Sequence, residues 1–395
     1  MKLLKGNIIH APTLEKLETI ENGALLLEDD GTIREVLHAA PQDFDGRVYD
    51  CSGQLIMQSF ADMHLHAPQF PNVGMGMDLP LLDWLKTYTF PVEAKFADLD
   101  YARHIYRRLA HDLIANGTTR VCMFSSLHTD ATLVLMEELE NAGVTGFVGK
   151  VNLDRNGGEN LEEPTEESIR EPPRWLEGCR RFRFVRPIIT PRFTPACTDE
   201  LMTALGKIAA EQNLCVQSHL SENLDEIAWV RSLHPDCAQY WESYDKFGLW
   251  KSHTVMAHCI HSDERERTAI REAGVVLAHC PDSNINLCSG IAPVREMLNE
   301  GIHVTLGTDM AAGSSLAGSR MVTMSIQASK VRSFTDPAHP ALLTVPEAYY
   351  LGTTSGHRYF GAGSGLTPSA RLHAVVVEDP SPTQPPWAPR LPERL

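Results

Sequence analysis

The chain has 395 residues, 43% of them hydrophobic, and a formal net charge of −16 at pH 7. This acidic excess argues against a nucleic-acid backbone or an anionic membrane as a partner, and no apolar run is long enough to span a bilayer. The nine cysteines stand singly and the first residues lack a secretory hydrophobic stretch, so we expect reduced thiols and a cytoplasmic location.

The chain is predicted to consist of a main domain flanked by two β segments. Residues 1–57 are predicted to form short strands and turns, with a hairpin signal at Asp29-Asp30-Gly31. Residues 58–360 alternate strands with helices. Residues 361–395 contain one apolar strand near 373–377 and then become rich in proline, which is typical of an extended tail. We expect the first and last segments to form a small β-sandwich.

The main domain contains eight buried strand-like runs separated by helical crossovers, which is the number of strands in a (β/α)₈ barrel. The predicted strands are 55–66, 118–126, 146–153, 185–192, 214–219, 253–259, 275–280 and 303–309. The predicted helices are 79–88, 98–116, 130–141, 165–170, 198–213, 262–273 and 292–300.

Several strands end in a residue that can bind a metal. His64 and His66 are two positions apart on one strand, so their side chains point to the same side. The carboxyl ends of barrel strands converge on one face, where His219, His258 and Asp309 are also expected. Each could instead be structural, but five such coincidences are much less expected than one. Four imidazoles and one carboxylate suit a single Zn²⁺ or Fe²⁺ per chain.

An acid/base candidate lies beside this set. Glu222 follows the fifth strand, where a carboxylate could take a proton from a water whose pKa a metal lowers to about 7. It could also cap the helix that starts near Asn223. His279 ends a strand too, and we assign it to the wall or to an outer layer, since five ligands already fill a mononuclear site. A two-metal relative would need a bridging lysine at the position of Arg192, whereas Lys150 lies on the third strand.

The sequence resembles the guanine deaminases of the amidohydrolase superfamily over nearly its whole length. His64-Leu65-His66 and Gly307-Thr308-Asp309 indicate only the superfamily. The stretches that look specific to guanine deaminases are Leu81-Leu82-Asp83-Trp84-Leu85, Tyr88-Thr89-Phe90-Pro91-Val92-Glu93 and Thr190-Pro191-Arg192-Phe193.

The resemblance implies a zinc enzyme of purine catabolism, usually a homodimer, that converts guanine to xanthine and ammonia. It implies that Glu222 shuttles protons and that Asp309 assists the activated water. The implied metal ligands are His64, His66, His219, His258 and Asp309. The implied substrate-binding residues are Gln69, Arg192, Phe193 and His258, with Leu82 and Trp84 lining the pocket or, equally, packing in the core.

Three departures from the family pattern affect stability more than the metal site. Gln58-Ser59 stands where the family usually has Pro-Gly, and His373 stands where an Asp usually precedes the last apolar strand. The family continues beyond that strand, so we expect a weakened small β domain and altered dimer packing.

Other functions fit parts of the same pattern. A mononuclear deaminase acting on a triazine or pterin would share every metal ligand, and a non-catalytic scaffold could retain the fold. A cytidine-type deaminase would need His-X-Glu and Pro-Cys-X-X-Cys motifs, which are missing from the sequence. Arg192 has only donors, so it can bond guanine O6. With adenine, two donors would face each other and the arginine charge would lose its partner. We therefore expect a preference for guanine over adenine.

Overall fold

The computed structural model describes residues 1–158, 161–338, 340–361 and 365–378. The proline-rich part of the predicted tail, residues 379–395, lies outside them. The chain divides into two compact units, Met1–Ala61 with Leu343–Leu395, and Asp62–Leu342. None of the described helices is long and apolar enough to cross a membrane.

The strands are numbered in chain order. They are β1 Lys2–Thr13, β2 Lys16–Leu27, β3 Ile33–Leu37, β4 Arg47–Gln58, β5 Phe60–His66, β6 Thr118–Phe124, β7 Thr145–Gly149, β8 Val151–Asn152, β9 Val185–Pro187, β10 Thr190–Pro191, β11 Gln217–Leu220, β12 Val255–His258, β13 Val276–His279, β14 His303–Leu306 and β15 Ala374–Val377.

The α-helices are numbered in the same way. They are α1 Leu81–Trp84, α2 Phe90–Glu93, α3 Leu99–Ala115, α4 Thr129–Ala142, α5 Thr165–Cys179, α6 Asp199–Glu211, α7 Leu224–Leu233, α8 Glu242–Asp245, α9 Glu264–Ala273, α10 Pro281–Asn286, α11 Val294–Asn299, α12 Gly318–Thr335, α13 Val345–Tyr350 and α14 Gly356–Tyr359. π-Helical turns at Leu85–Thr89 and Leu351–Ser355 join α1 to α2 and α13 to α14.

The first unit is built on a five-stranded mixed sheet in the order β15-β4-β1-β2-β3. The predicted hairpin at Asp29–Gly31 is confirmed, because β2 and β3 pair antiparallel and Glu28 N donates to Thr32 O at 2.9 Å. Apolar residues of this sheet and of the chain before β15 form its core. They are Leu4, Ile8, Ile20, Leu25, Leu27, Ile33, Ile56, Leu366 and Ala370.

The predicted single strand at 55–66 is wrong, since the chain forms two strands that separate at Ser59. β4 pairs with β1 and β15 in the first unit, whereas β5 pairs with β6. The unusual Gln58-Ser59 pair is hydrogen-bonded within the first unit: Gln58 Oε1 accepts from Thr354 Oγ1 at 2.7 Å and Ser59 O accepts from His357 Nε2 at 2.9 Å. The carbonyl of His373 accepts from Ser59 N at 3.1 Å.

The border between the units also differs from the predicted one at residue 360. α13 and α14 group with the first sheet, because their side chains bond its backbone. Tyr349 Oη donates to Gln58 O at 3.2 Å, and Thr354 Oγ1 donates to Ala11 O at 2.6 Å.

The second unit is a TIM-barrel-like α/β fold. Two four-stranded parallel groups run in the orders β5-β6-β7-β9 and β11-β12-β13-β14. Ile189 pairs with Val216 between the groups on one side, and Asp309 N donates to His64 O at 2.8 Å on the other. Each of the eight predicted strands therefore overlaps a strand of this fold, the first of them only over Phe60–His66. The third and fourth are each interrupted, as β7/β8 and β9/β10.

The predicted helices are present, but the short helices α8, α10, α13 and α14 were not predicted, and two longer helical stretches were also missed in part or in full. α5 continues through Pro172 and Pro173 to Cys179, beyond the predicted end at 170, although proline removes a helical hydrogen bond. α12 was not predicted, since its buried positions include Ser325 and Ser329 as well as apolar residues, which weakens the apolar stripe that marks a helix.

Candidate active site

Five buried side chains meet at the carboxyl ends of the barrel strands. The ligand atoms of His64, His66 and His219, and those of His64, His258 and Asp309, lie within 4.8 Å of one another in each group. His66 Nε2 is 3.1 Å from His219 Nε2, and Asp309 Oδ1 is 3.5 Å from His64 Nε2 and 3.8 Å from His66 Nε2. His64 Nε2 is buried without a hydrogen-bond partner. The set therefore fits one tightly held metal ion.

Hydrogen bonds to the far sides of the rings orient two of these histidines. His219 Nδ1 donates to the carbonyl of Arg192 at 2.6 Å, and His258 Nδ1 bonds Asn284 Oδ1 at 2.8 Å. A ring that donates from Nδ1 keeps the lone pair of Nε2 for the centre of the cluster. Sequence reasoning missed Asn284, which lies on α10 directly after the predicted seventh strand.

Burial gives these groups the charges that suit metal binding. It lowers the pKa of His64, His66 and His219 below the usual range, so the rings are neutral. Burial alone would raise the pKa of Asp309, but the close His64 imidazole, with those of His258 and His66, holds this pKa below its usual range. Neutral imidazoles around an ionised carboxylate are the protonation states that metal ligands require.

A second buried carboxylate, which sequence reasoning also missed, supports the cluster from behind. Asp62 accepts from Thr308 N at 2.9 Å and from Thr308 Oγ1 at 2.5 Å, and burial raises its pKa to about 6. These bonds tie β5 to the residue before Asp309. The alternation Asp62-Met63-His64 was the available signal, since residues two apart share one side of a strand.

Two candidate ligands adopt strained backbone conformations. His258 has φ +72° and Asp309 has φ +44°, in the left-handed region that non-glycine residues seldom occupy. Such residues cost of order 1–3 kcal/mol each and cluster at functional sites. The strain turns both side chains at the points where their strands end.

Glu222 faces the cluster and does not cap the next helix. Asn223 caps α7, with Glu226 completing the capping box, and Glu226 Oε2 accepts from the backbone N–H of Glu222 at 3.0 Å. The side chain of Glu222 lies 3.5 Å from His258 Nε2. Burial, then the charges of Glu226 and Asp309, raise the pKa of Glu222 well above its usual range. This carboxyl can hold a proton beside the cluster.

A cavity opens over the cluster. Gln69, Arg192, Phe193 and Trp84 line it beside four of the candidate ligands and Glu222. The prediction for Leu82 is wrong, because that half-buried side chain is not among the lining residues. Leu81 lies three residues before Trp84 and four before Leu85, and residues at these two spacings share a helix face. The complete lining is His66, Gln69, Leu81, Trp84, Leu85, Arg192, Phe193, His219, Glu222, Glu226, His258, Leu287, Asp309 and Ala312.

Arg192 already has a charged partner. Its Nη1 and Nη2 donate to Glu93 at 2.6 and 3.0 Å, and Gln69 Nε2 donates to the same carboxylate at 2.9 Å. The expectation that adenine would leave the arginine charge unpaired is therefore wrong. Glu93 lies 99 residues before Arg192. The available sequence signal was its place at the end of the stretch 88–93, which resembles the guanine deaminases, although nothing in that stretch relates Glu93 to Arg192.

His279 and Lys150, which the sequence analysis also considered, lie outside the candidate metal groups. His279 is buried, and burial with the nearby His258 lowers its pKa to about 3. Lys150 pairs with Glu163 at 2.9 Å, in agreement with the prediction that it does not bridge two metals.

Residues 55–378 match the amidohydrolase family. The chain is 37% identical over 377 residues to a guanine deaminase of Dictyostelium discoideum, a match that covers 91% of this chain and 84% of that protein. It is 36% identical over 376 residues to the guanine deaminase of Mus musculus, covering 92% and 83%. A solved structure of guanine deaminase from C. acetobutylicum, with guanine bound in its active site, is similar with a TM-score of 0.92 and 42% identity, covering 95% of this chain and 90% of that one.

Proposed function

We propose that this chain, which belongs to the guanine deaminases of the amidohydrolase family, hydrolyses guanine to xanthine and ammonia with Glu222 as the proton carrier. The observation that carries the mechanism is the joint position of Glu222 and the five-residue cluster at one cavity. The family membership supports the reaction, and the buried carboxyl of Glu222 is a group that could carry its protons.

One divalent ion, which we propose to be Zn²⁺, would be held by His64, His66, His219, His258 and Asp309. Such an ion would lower the pKa of a water molecule and so make it a nucleophile near neutral pH. Oxygen ligands alone would suit Mg²⁺ or Ca²⁺, whereas imidazoles suit zinc and iron. Nitrogen donors make up most of this set, which favours zinc or iron over the hard cations.

Glu222 would take one proton from the attacking water and pass it to N3 of the purine ring, and it would then pass the second proton of that water to the departing amine. The water oxygen forms a bond to C2 of guanine, the C2–amine bond breaks, and ammonia leaves. Asp309, held ionised, would assist by accepting a hydrogen bond from the same water. A carboxyl whose pKa is raised both accepts and returns a proton readily near neutral pH.

The ring of guanine would lie between the cluster and the apolar wall of the cavity. Phe193 would stack on the purine, Trp84 would contact its edge, and His258 would approach the reacting carbon. Arg192 would donate to O6, and Gln69 would bond the neighbouring edge. All of these side chains are among those that line the cavity, which supports the proposal.

Turnover of guanine by the purified, metal-loaded protein tests the proposal. We expect release of ammonia and xanthine in equal amounts, and a metal content near one ion per chain. Protein loaded with one ion that leaves guanine intact would contradict the function. Full activity with two ions, or without any, would contradict the proposed site.

Three wider features belong to the same proposal. We propose that the enzyme is a homodimer and acts in cytoplasmic purine catabolism. We also propose that the strands β1–β4 and β15 belong to a small β-sandwich domain. The register shifts within the long strands β1 and β2 would let such a sheet bend over its own core.

A further inference from the structure

We infer that Glu93 is a positioning residue that selects the base: it fixes Gln69 as a hydrogen-bond acceptor and Arg192 as a donor. The cavity then recognises a lactam edge, in which a carbonyl stands next to a ring N–H. This inference rests on the proposed function and names the part of guanine that would be recognised.

Glu93 connects both base-binding side chains. It is 1% exposed, and its Oε1 accepts from Gln69 Nε2 at 2.9 Å and from Arg192 Nη2 at 3.0 Å. Its Oε2 accepts from Arg192 Nη1 at 2.6 Å. Because a single oxygen contacts both, the two side chains are held next to each other.

The charge of Glu93 determines which way the Gln69 amide faces. An ionised carboxylate only accepts hydrogen bonds, so Gln69 must turn its NH₂ toward Glu93. The reverse orientation would place two acceptors against each other. Gln69 Oε1 is then left buried without a partner on a residue that lines the cavity. A buried acceptor without a partner is costly, and a ligand N–H would satisfy it.

Arg192 supplies the complementary group. Its guanidinium has five N–H donors and no acceptor, and the bonds to Glu93 leave other donors for a ligand. The guanidinium carbon also lies 5.2 Å from the centre of the Phe90 ring, so the group is held from two sides. The cavity therefore presents one acceptor beside one donor.

This pair matches guanine and opposes adenine. Guanine carries C6=O beside N1–H, which pair with Arg192 and Gln69 respectively. Adenine carries an amino group beside an N1 acceptor, so donor would face donor and acceptor would face acceptor. Sites built to bond such a group reject the wrong analogue by about 10⁴–10⁵ at most. The preference for guanine over adenine then depends on the fixed orientation of the Gln69 amide. It does not depend on adenine leaving the charge of Arg192 without a partner.

Binding of hypoxanthine and of adenine to the metal-loaded protein tests base selection separately from the deamination reaction. Hypoxanthine presents the lactam edge and adenine presents the reverse, and neither has an amine at C2 to lose. Calorimetry gives the ratio of their dissociation constants, which we expect to favour hypoxanthine by about 10³ or more in the wild type. In Glu93→Gln, the new amide can accept or donate, so Gln69 can turn and the ratio should fall to about 10–100.

Two further variants make the test decisive. Glu138→Gln alters another buried carboxylate that pairs with arginines, Arg103 and Arg107, and should leave the ratio unchanged. Gln69→Met removes the acceptor at nearly constant shape, and it decides the test if Glu93→Gln does not fold. Gln69→Met should also lower the preference for hypoxanthine over adenine, while the metal content stays the same.

The outcomes distinguish this inference from the proposed function. If the wild type deaminates guanine but folded Glu93→Gln keeps the wild-type ratio, Glu93 does not position Gln69 and the inference is overturned. The same holds if only Gln69→Met can be measured and its ratio is unchanged. A wild type that neither deaminates guanine nor binds hypoxanthine contradicts the proposed function itself.

Discussion

The metal-facing and purine-facing halves of the cavity are built differently. On the metal-facing side, the candidate ligands come from the ends of β5, β11 and β12 and from the chain just after β14. On the purine-facing side, Gln69 follows β5, Arg192 follows β10 and Glu93 ends α2, and the three side chains are held by one another. The first half depends on backbone geometry, whereas the second depends on a buried charge pair.

This difference shows where each half is vulnerable. A substitution among the strand-end residues should change metal affinity or proton transfer while the barrel stays folded. A substitution in the purine-facing half leaves a buried charge without its partner, so it should lower base binding and stability together. The following predictions test that contrast, from the largest expected effect to the smallest.

Glu222→Gln should lower kcat for guanine by about 10²–10⁴, because an amide cannot carry the proton from water to the amine. Metal content and the melting temperature should stay close to those of the wild type, since Asn223 and Glu226 cap α7 without it. Steady-state kinetics with elemental analysis checks this. Asp225→Asn, an exposed neighbour, is the matched control. If Glu222→Gln retains most of the wild-type kcat, proton transfer must belong to Asp309 alone.

Arg192→Ala should lower kcat/KM for guanine by about 10²–10³ and also reduce the free energy of unfolding by about 3–5 kcal/mol. The stability is lost because the buried carboxylate of Glu93 remains without its cation. Metal content should not change. The double variant Arg192→Met/Glu93→Gln removes both charges, so it should regain most of the stability but none of the activity. Equal instability in the single and double variants would show that the charge pair is not the cause.

The sequence predicted the metal-facing half well and the purine-facing half only in part. His64, His66, His219, His258 and Asp309 could be found because strand periodicity and the barrel rule fix where strand ends meet. Glu93 could not, since no local pattern relates it to Arg192. Asn284 and Asp62 are similar cases: Asn284 bonds the candidate ligand His258 and Asp62 bonds Thr308, the residue before Asp309, and only the folded chain brings these pairs together.

The pairing of strands that are distant in sequence also explains why the predicted ends of some elements were wrong. The run 55–66 was predicted as one strand, but β4 and β5 pair with different strands, and the sequence does not show which partner strand a residue meets. α12 was missed because serines occupy part of its buried face. Local propensity therefore located most elements, and long-range pairing decided where they end.

Asn284→Ala should weaken metal binding by about 10–100-fold, which is the usual effect of removing a partner that orients a metal-binding histidine. The lost bond is the one between Asn284 Oδ1 and His258 Nδ1, at 2.8 Å in the intact protein. Competition with a chelator gives the affinity. At saturating Zn²⁺, KM for guanine should stay close to the wild-type value, since the purine-facing half is intact. Unchanged metal affinity would mean that Asn284 does not orient His258.

The smallest effect concerns the apolar wall, where Leu81 and Leu82 provide a matched pair. Leu81 lines the cavity whereas half-buried Leu82 does not, although both belong to α1. Leu81→Val removes roughly one methylene from the wall, and a methylene in an apolar pocket is worth about 1–3 kcal/mol when fully used. Guanine is flat and polar at its edge, so we expect the lower limit, a rise in KM of about 3–10-fold. Leu82→Val has the same chemistry and the same helix propensity, yet KM should stay within about 2-fold of the wild type. A larger effect from Leu82 than from Leu81 would mean that α1 turns its other face to the purine.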